Sequence, residues 1–313
     1  MSCFIAVDIG GTHIRAALYP QQGSTPLQQV RIPTVASGQS PLERMVQLIR
    51  QIWPQSNDVL SIAIASPGFI DSSAGLVMSA PNIAGWNNLP VSEIVSKQFG
   101  VPVFLGNDAN LAVMGEYLFG SGRGHQDILY LTISTGIGGG IISNGRLVEG
   151  GHGLAGELGH VTIEPDGPIC ACGKKGHLEA LSSGTAISRY LAQQVAAGRF
   201  STFKPGSAPN AKAIADAARE GDSLSIETYE RAGFYLGRAV ADFLAIFNPS
   251  LVILGGGVAQ SGDLLLAPMK RSLDQHVVAP EYLQGLTITT ASLGDDTGLL
   301  GALALQYSKV NPA

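Results

Sequence analysis

The placement of glycine constrains this chain most. There are 40 glycines in 313 residues, well above the usual share of about 7%. They are clustered: "DIGGT" at 8–12, "STGIGGG" at 134–140, "VEGGHGLAGELGH" at 148–160 and "LGGG" at 254–257. Each cluster adjoins an apolar, β-rich run. Glycines in a linker would sit among polar residues, whereas glycine turns at the ends of buried strands are suited to face a ligand.

The runs between the clusters set the organisation. Phe4–Ile9 reads as a buried strand, Gly10 and Gly11 as a tight turn, and Ile14–Leu18 as the returning strand of a hairpin. "PLERMVQLIRQIW" at 41–53 has helical apolar spacing, and "VLSIAIAS" at 59–66 is a strand. The order recurs in "DILYLTIST" at 127–135, turned by "GIGGG" and continued by "IISNGRLVEG" with an Asn-Gly turn of its own. An internal duplication is the economical reading. Residues 224–247 form a long helix stopped at Asn248-Pro249, followed by the strand "LVIL", and "GLLGALALQYS" is an apolar helix able to pack back on the first unit. "STFKPGSAPN" at 201–210 reads as an exposed loop. The expectation is an α/β protein of two domains closed over a cleft. The smaller spans 1–115, completed by the helix 298–310, and the larger spans 116–297.

Composition narrows the partners. With 45% hydrophobic and 14% charged residues the chain buries large cores, and a net charge of -5 without a stripe of Lys or Arg makes nucleic acid an unexpected partner. "MSCFIAVDIGGT" carries no basic leader, and no apolar run reaches membrane-spanning length, so the expected address is the cytoplasm, with no membrane partner. Three cysteines are too few for a disulfide framework and are expected reduced.

Four groups of residues carry chemistry. The turn after the first strand, with Asp8, Gly10, Gly11 and Thr12, offers backbone N–H groups to phosphate oxygens and a carboxylate to a hydrated Mg²⁺; a plain hairpin turn remains the other reading. A second such turn, with Thr135, Gly136 and Gly138, suits the far end of a polyphosphate. Gly255, Gly256 and Gly257 form a strand-to-helix turn compatible with a nucleotide platform. No G-x-x-x-x-G-K-[ST] loop occurs, and Gln260 stands where a dinucleotide fingerprint wants its last glycine. In "GNDAN" at 106–110, Asn107 and Asp108 follow a strand and precede a helix. They read either as a helix N-cap or as a base at the mouth of a cleft. Finally, His160, Cys170, Cys172 and His177 supply two imidazoles and two thiolates, a set for a closed, structural Zn²⁺ site. Glu157 and Glu179 flank these ligands. With Asn107 and Asp108 they form a group of acids and amides suited to several hydroxyls at once, as in a sugar.

In this order, "DIGGTHIRAAL", "SPG" at 66–68, "APNIAGW" at 80–86, "GNDANLAVMGE", "TISTGIGGGII", "GLAGELGHVTI", "CACGKKGHLEALSSG" and "NPSLVILGGGV" resemble the ROK family of repressors, open reading frames and kinases. The similarity covers nearly the whole chain and is greatest to its bacterial ATP-dependent glucokinases. The resemblance implies a duplicated ribonuclease H-like fold of the actin-like ATPase type. It implies ATP in the interdomain cleft and transfer of the γ-phosphoryl to the C6 hydroxyl of a hexose, glucose first. Asp108 matches the catalytic base, and Asn82, Asn107, Glu157, His160 and Glu179 match the sugar ligands, with His160 serving both metal and sugar. The glycines near 10, 136 and 256 match nucleotide contacts. A homodimer is a further expectation of the resemblance. Two positions depart from the pattern: His177 stands where cysteine is usual, and Ser66 where glycine often precedes Pro-Gly, a change that bears on hexose preference. Three alternatives follow. One is a kinase for fructose, mannose or N-acetylmannosamine, and another is a non-catalytic sugar sensor. The third, a repressor, would need a helix-turn-helix domain ahead of a hairpin that starts within the first ten residues.

Overall fold

The computed structural model describes residues 2–310. Strand β1 (Cys3–Ile9) is buried along its length except at Asp8, as a central strand must be. It pairs antiparallel with β2 (His13–Pro20), which pairs with β3 (Gln28–Pro33). Helix α1 (Pro41–Gln51) starts at a Ser40/Glu43 capping box with Pro41 in its first turn, and leads to β4 (Val59–Ser66), parallel to β1. A small antiparallel sheet of β5 (Phe69–Asp71), β6 (Leu76–Ser79) and β7 (Asn87–Leu89) follows. Helix α2 (Val91–Phe99), stopped by left-handed Gly100, precedes β8 (Val103–Asn107), which runs parallel to β4. The first sheet thus has the order β3-β2-β1-β4-β8.

Helix α3 (Asp108–Phe119) carries the chain to β9 (Ile128–Ile133), β10 (Ile137–Ser143) and β11 (Arg146–Leu147). Four helices follow, α4 (Leu178–Ser182), α5 (Gly184–Ala196), α6 (Ala211–Arg219) and α7 (Ser223–Phe247). The chain ends through β12 (Leu251–Gly255), α8 (Asp263–His276), β13 (Thr287–Thr290) and α9 (Thr297–Val310). The second sheet reads β11-β10-β9-β12-β13, with an antiparallel meander and two parallel additions as in the first. The duplicated α/β architecture expected from sequence is therefore present. Asn144 and Gly145 both take positive φ (49° and 73°), the two-residue hairpin turn read from "NG". Helix α7 stops where expected, at left-handed Asn248 before Pro249.

One expectation is corrected. "GIGGG" is not all turn, because β10 begins at Ile137, and Gly138 sits in the ladder opposite Thr132. The turn is only Ser134–Gly136, closed by the Ser134 N–H on the Gly136 carbonyl. The physical reason is close approach: a Cβ on Gly138 would lie 3.1 Å from the Ala109 Cβ, and one on Gly140 2.7 Å from Val113, so these glycines seat α3 on the strand.

One buried cluster, with Met45, Ile49, Trp86 and Val95, belongs to the first sheet. Another, with Leu129, Ile187, Leu236 and Val252, belongs to the second. A third lies between the sheets, where α3 and α9 join residues of β1, β9 and β12. The two helices touch through Gly115 and Gly301; a Cβ on Gly301 would sit 2.3 Å from the Leu111 carbonyl oxygen. Buried Gln306 fixes α9 to the first sheet, accepting from the Ser61 hydroxyl (2.7 Å) and donating to the Ile5 carbonyl (3.2 Å). Among the described residues no helix is long and apolar enough to cross a membrane.

Candidate active site

The N-cap reading of "GNDAN" holds. Asn107 is the N-cap of α3, its Oδ1 accepting from the N–H groups of Ala109 (2.9 Å) and Asn110 (3.1 Å). Its Nδ2 donates to the Gly68 carbonyl (3.0 Å), which ties the "SPG" turn to the start of the helix and leaves one amide hydrogen over. Asp108 is the first helical residue, half-buried, with Oδ1 accepting from the Ala109 N–H (2.8 Å). Loss of water pushes its carboxyl up to about 6; the charges of Asp8 and Glu157 push the same way and the Ala109 N–H opposes them.

Asp8 projects from β1 beside its cross-strand partner Arg15, whose Nε donates to Asp8 Oδ2 (3.1 Å). Burial raises the Asp8 carboxyl and Arg15 opposes the rise. The following hairpin is held by Gly10 N–H to the His13 carbonyl (2.9 Å) and by the Thr34 hydroxyl to the Gly10 carbonyl (2.5 Å), with Gly11 and Thr12 exposed. Exposed Asn82 lies in the β6–β7 loop, and its carbonyl oxygen is 3.1 Å from where a Gly11 Cβ would stand. Glycine at 11 thus lets the loop and the hairpin meet. Ser66 is fully buried and donates to the Pro67 carbonyl (3.1 Å), so it can affect a ligand only through the shape of the turn.

In the segment after β11, Glu157 and His160 bracket a single 3-10 turn, with His160 Nε2 3.9 Å from Glu157 Oε2. Burial raises the Glu157 carboxyl, His160 lowers it and Glu179 raises it again. The opposite ring nitrogen, His160 Nδ1, is 3.7 Å from Cys170 Sγ, while Cys172 Sγ is 3.3 Å from His177 Nδ1. Ligand atoms of all four residues lie within 4.8 Å of one another. Tetrahedral zinc with Zn–S near 2.3 Å and Zn–N near 2.0–2.1 Å needs ligand separations of about 3.5 Å. Two sulfurs and two imidazoles are a donor set that fits zinc, with His177 as the fourth residue of the cluster. Glu179 connects this cluster to the Ser134–Gly136 turn: Oε1 is 3.2 Å from Cys170 Sγ and Oε2 accepts from the Ile137 N–H just after the turn (3.1 Å). A Gly136 Cβ would lie 2.4 Å from that oxygen.

A cleft of about 750 Å³ opens beside the second sheet, lined among others by Thr135, Thr185, Pro209, Lys212, Gly257 and Gln260. Gly256 has φ 83° and could bear no side chain, since a Cβ would meet the Ile133 carbonyl oxygen at 2.3 Å. The structure therefore gathers Asp8, Asp108 and Glu157 into one electrostatic neighbourhood and Glu157, His160 and Glu179 into another, joined at Glu157. Thr135 and Gly257 share the large cleft, whereas Gly10, Gly11 and Thr12 lie on the hairpin of the other sheet.

The pattern of the ROK family matches residues 4–309. The chain belongs to the ROK family. A glucokinase of Thermotoga maritima is 38% identical over 311 residues, covering 98% of both chains. The crystal structure of a ROK hexokinase from Thermus thermophilus superposes with a TM-score of 0.82 at 33% identity, over 99% of this chain and 100% of that one. A ROK family glucokinase from Streptomyces griseus, in complex with glucose and AMPPNP, gives 0.77 at 35% identity, over 97% and 99%. The fold of this ROK chain is accordingly the duplicated actin-like ATPase type.

Sequence reading missed two participants. Arg15 was available in principle, because the register of a hairpin turning at 10–12 places it opposite Asp8. The segment 208–219, which walls the large cleft, was not, since its apparent loop and helix carry no local motif and only the fold brings them to Thr135.

Proposed function

We propose that this ROK protein is an ATP-dependent hexose kinase that transfers the γ-phosphoryl group to the C6 hydroxyl of glucose. The observation that carries the reading is Asp108: a carboxylate on the first turn of α3, beside Asp8 and Glu157, raised to about 6 so that it is ionised yet basic at neutral pH. The glucokinase and hexokinase relatives support the substrate class.

Glu157, His160, Glu179, Asn82 and Asn107 bind and orient the sugar hydroxyls, and Asp108 accepts the C6 proton as that oxygen bonds to phosphorus and the bond to the leaving diphosphate breaks. Most of the rate comes from positioning, as expected for a loose transition state. ATP lies between Thr135, Gly136, Gly256 and Gly257 on one side and Gly10, Gly11 and Thr12 on the other; Gly138 supports this by seating α3. Asp8 offers its carboxylate to a hydrated Mg²⁺, which would neutralise phosphate charge when bound. Zn²⁺ on His160, Cys170, Cys172 and His177 is structural, holding the turn that presents Glu157 and the helix that presents Glu179. The proposed units, 1–115 with 298–310 and 116–297, are joined through α3, which runs across the boundary. A homodimer in the cytoplasm belongs to the same proposal.

The test is initial rates with Mg-ATP on glucose, mannose, fructose, glucosamine, N-acetylglucosamine and N-acetylmannosamine. The highest kcat/KM is expected on glucose. A higher value on an N-acetylhexosamine moves the acceptor assignment, and no turnover on any sugar despite glucose binding makes the protein a sensor.

A further inference from the structure

One fully buried carboxylate has no part in this chemistry. Glu116, near the end of α3, is 0% exposed. Its Oε1 accepts from the N–H groups of Ser292 (2.9 Å) and Leu293 (3.0 Å), and its Oε2 from the Ser121 N–H (2.7 Å) and the Ser292 hydroxyl (3.2 Å). These donors lie on the two segments that carry the chain between the sheets, 120–127 from α3 to β9 and 291–296 from β13 to α9. Ser121 adds a second tie, donating its hydroxyl to the carbonyl of Thr290 at the end of β13 (3.0 Å). Among the described residues no cation pairs with Glu116, so N–H and O–H donors alone stabilise its charge. A carboxylate that is buried and fully satisfied in this way fixes the donors as firmly as they fix it. Gly120 leaves the space it needs, since a Cβ there would meet Oε2 at 2.1 Å.

We propose that Glu116 is a positioning residue, a clasp that holds both crossings at one point. Closure of the cleft turns about that point, and Asp108, about two turns earlier on the same helix, arrives in register with the sugar hydroxyl. The inference rests on the kinase reading of the cleft. An apolar side chain of the same size would not serve, because it would strand three backbone N–H groups on segments that must keep their spacing while the sheets move.

The test is Glu116→Gln, which keeps the volume but presents an NH₂ to N–H groups. Kinetics on glucose and Mg-ATP would be read beside calorimetric glucose affinity and the change in radius of gyration, by small-angle scattering, on adding glucose with a non-hydrolysable ATP analogue. The clasp predicts that kcat falls roughly 10- to 100-fold, that glucose affinity without nucleotide is unchanged, and that ligand-induced compaction is lost. Wild-type kcat, a kcat loss with normal compaction, a parallel loss of glucose affinity, or a wild-type protein that does not compact would each overturn it. If the glutamine variant fails to fold, Gly120→Ala displaces the same carboxylate, and wild-type kinetics and compaction in it would overturn the clasp. Failure of the wild type to phosphorylate any sugar would defeat the kinase reading, while the scattering comparison would still decide whether Glu116 governs closure.

Discussion

Replacing Asp108 by asparagine should remove turnover and add stability together. The asparagine Oδ1 can keep the Ala109 N–H bond, so the helix start stays intact. Without a base, kcat should fall by about 10²–10⁴. Moving the carboxyl from its ordinary 3.8 to about 6 corresponds to roughly 3 kcal/mol against the charged form. Relaxation of water around a half-buried group leaves ~1–2 kcal/mol of that. Because the folded pKa lies above the unfolded one, the folded state binds the extra proton between pH 4 and 6, and wild-type stability falls as pH rises through that window. The asparagine variant lacks this slope. Urea unfolding of both proteins should therefore show little difference at pH 4 and an advantage of ~1–2 kcal/mol for the variant at pH 7.5. An equal difference at both pH values, or a variant less stable at pH 7.5, would refute the electrostatic account of the site, and near-normal kcat would remove Asp108 as the base.

Wild-type kcat/KM for glucose should lose activity as pH drops through about 6, the value to which Asp108 is pushed; a profile flat to pH 5 would assign the acid limb elsewhere. Cys172→Ser should leave the protein short of one zinc per chain and raise KM for glucose by about 10- to 100-fold without changing KM for ATP. Metal analysis beside glucose and ATP titrations checks this, and a zinc-depleted protein with unchanged glucose KM would contradict it. Gly68→Ala should destabilise by about 1–3 kcal/mol or more, because Gly68 has φ 97° and its Cβ would lie 2.1 Å from the Ser79 carbonyl oxygen. Thermal unfolding reads the loss, and an unchanged midpoint would show that the turn can relax.

The duplicated fold was legible because both halves open with a buried strand, a glycine turn and a returning strand, a period-2 pattern that burial on both faces makes nearly continuous. The candidate metal cluster was legible too, because its four residues fall within 18 positions of sequence and carry the thiol and imidazole donors that suit zinc. "GIGGG" was harder. Glycines needed for a turn and glycines needed for helix-on-strand contact look alike in sequence, and only α3 lying on β10 separates Gly136 from Gly138. Nothing in "GNDANLAVMGE" signals a role for Glu116, since its four donors come from backbone and side chain at 121, 292 and 293, positions that no local pattern connects. The same limit applied to Arg219 and Lys212 in the large cleft, which read as ordinary charged residues of a surface helix.

The central claim is that this site moves a phosphoryl group onto the C6 oxygen of glucose with Asp108 taking the proton. NMR of the product formed from glucose and Mg-ATP tests it most directly, through coupling between phosphorus and the two C6 protons. The account predicts a single phosphate ester showing that coupling. An ester at another carbon, or free phosphate released from ATP beside unaltered glucose, would contradict it.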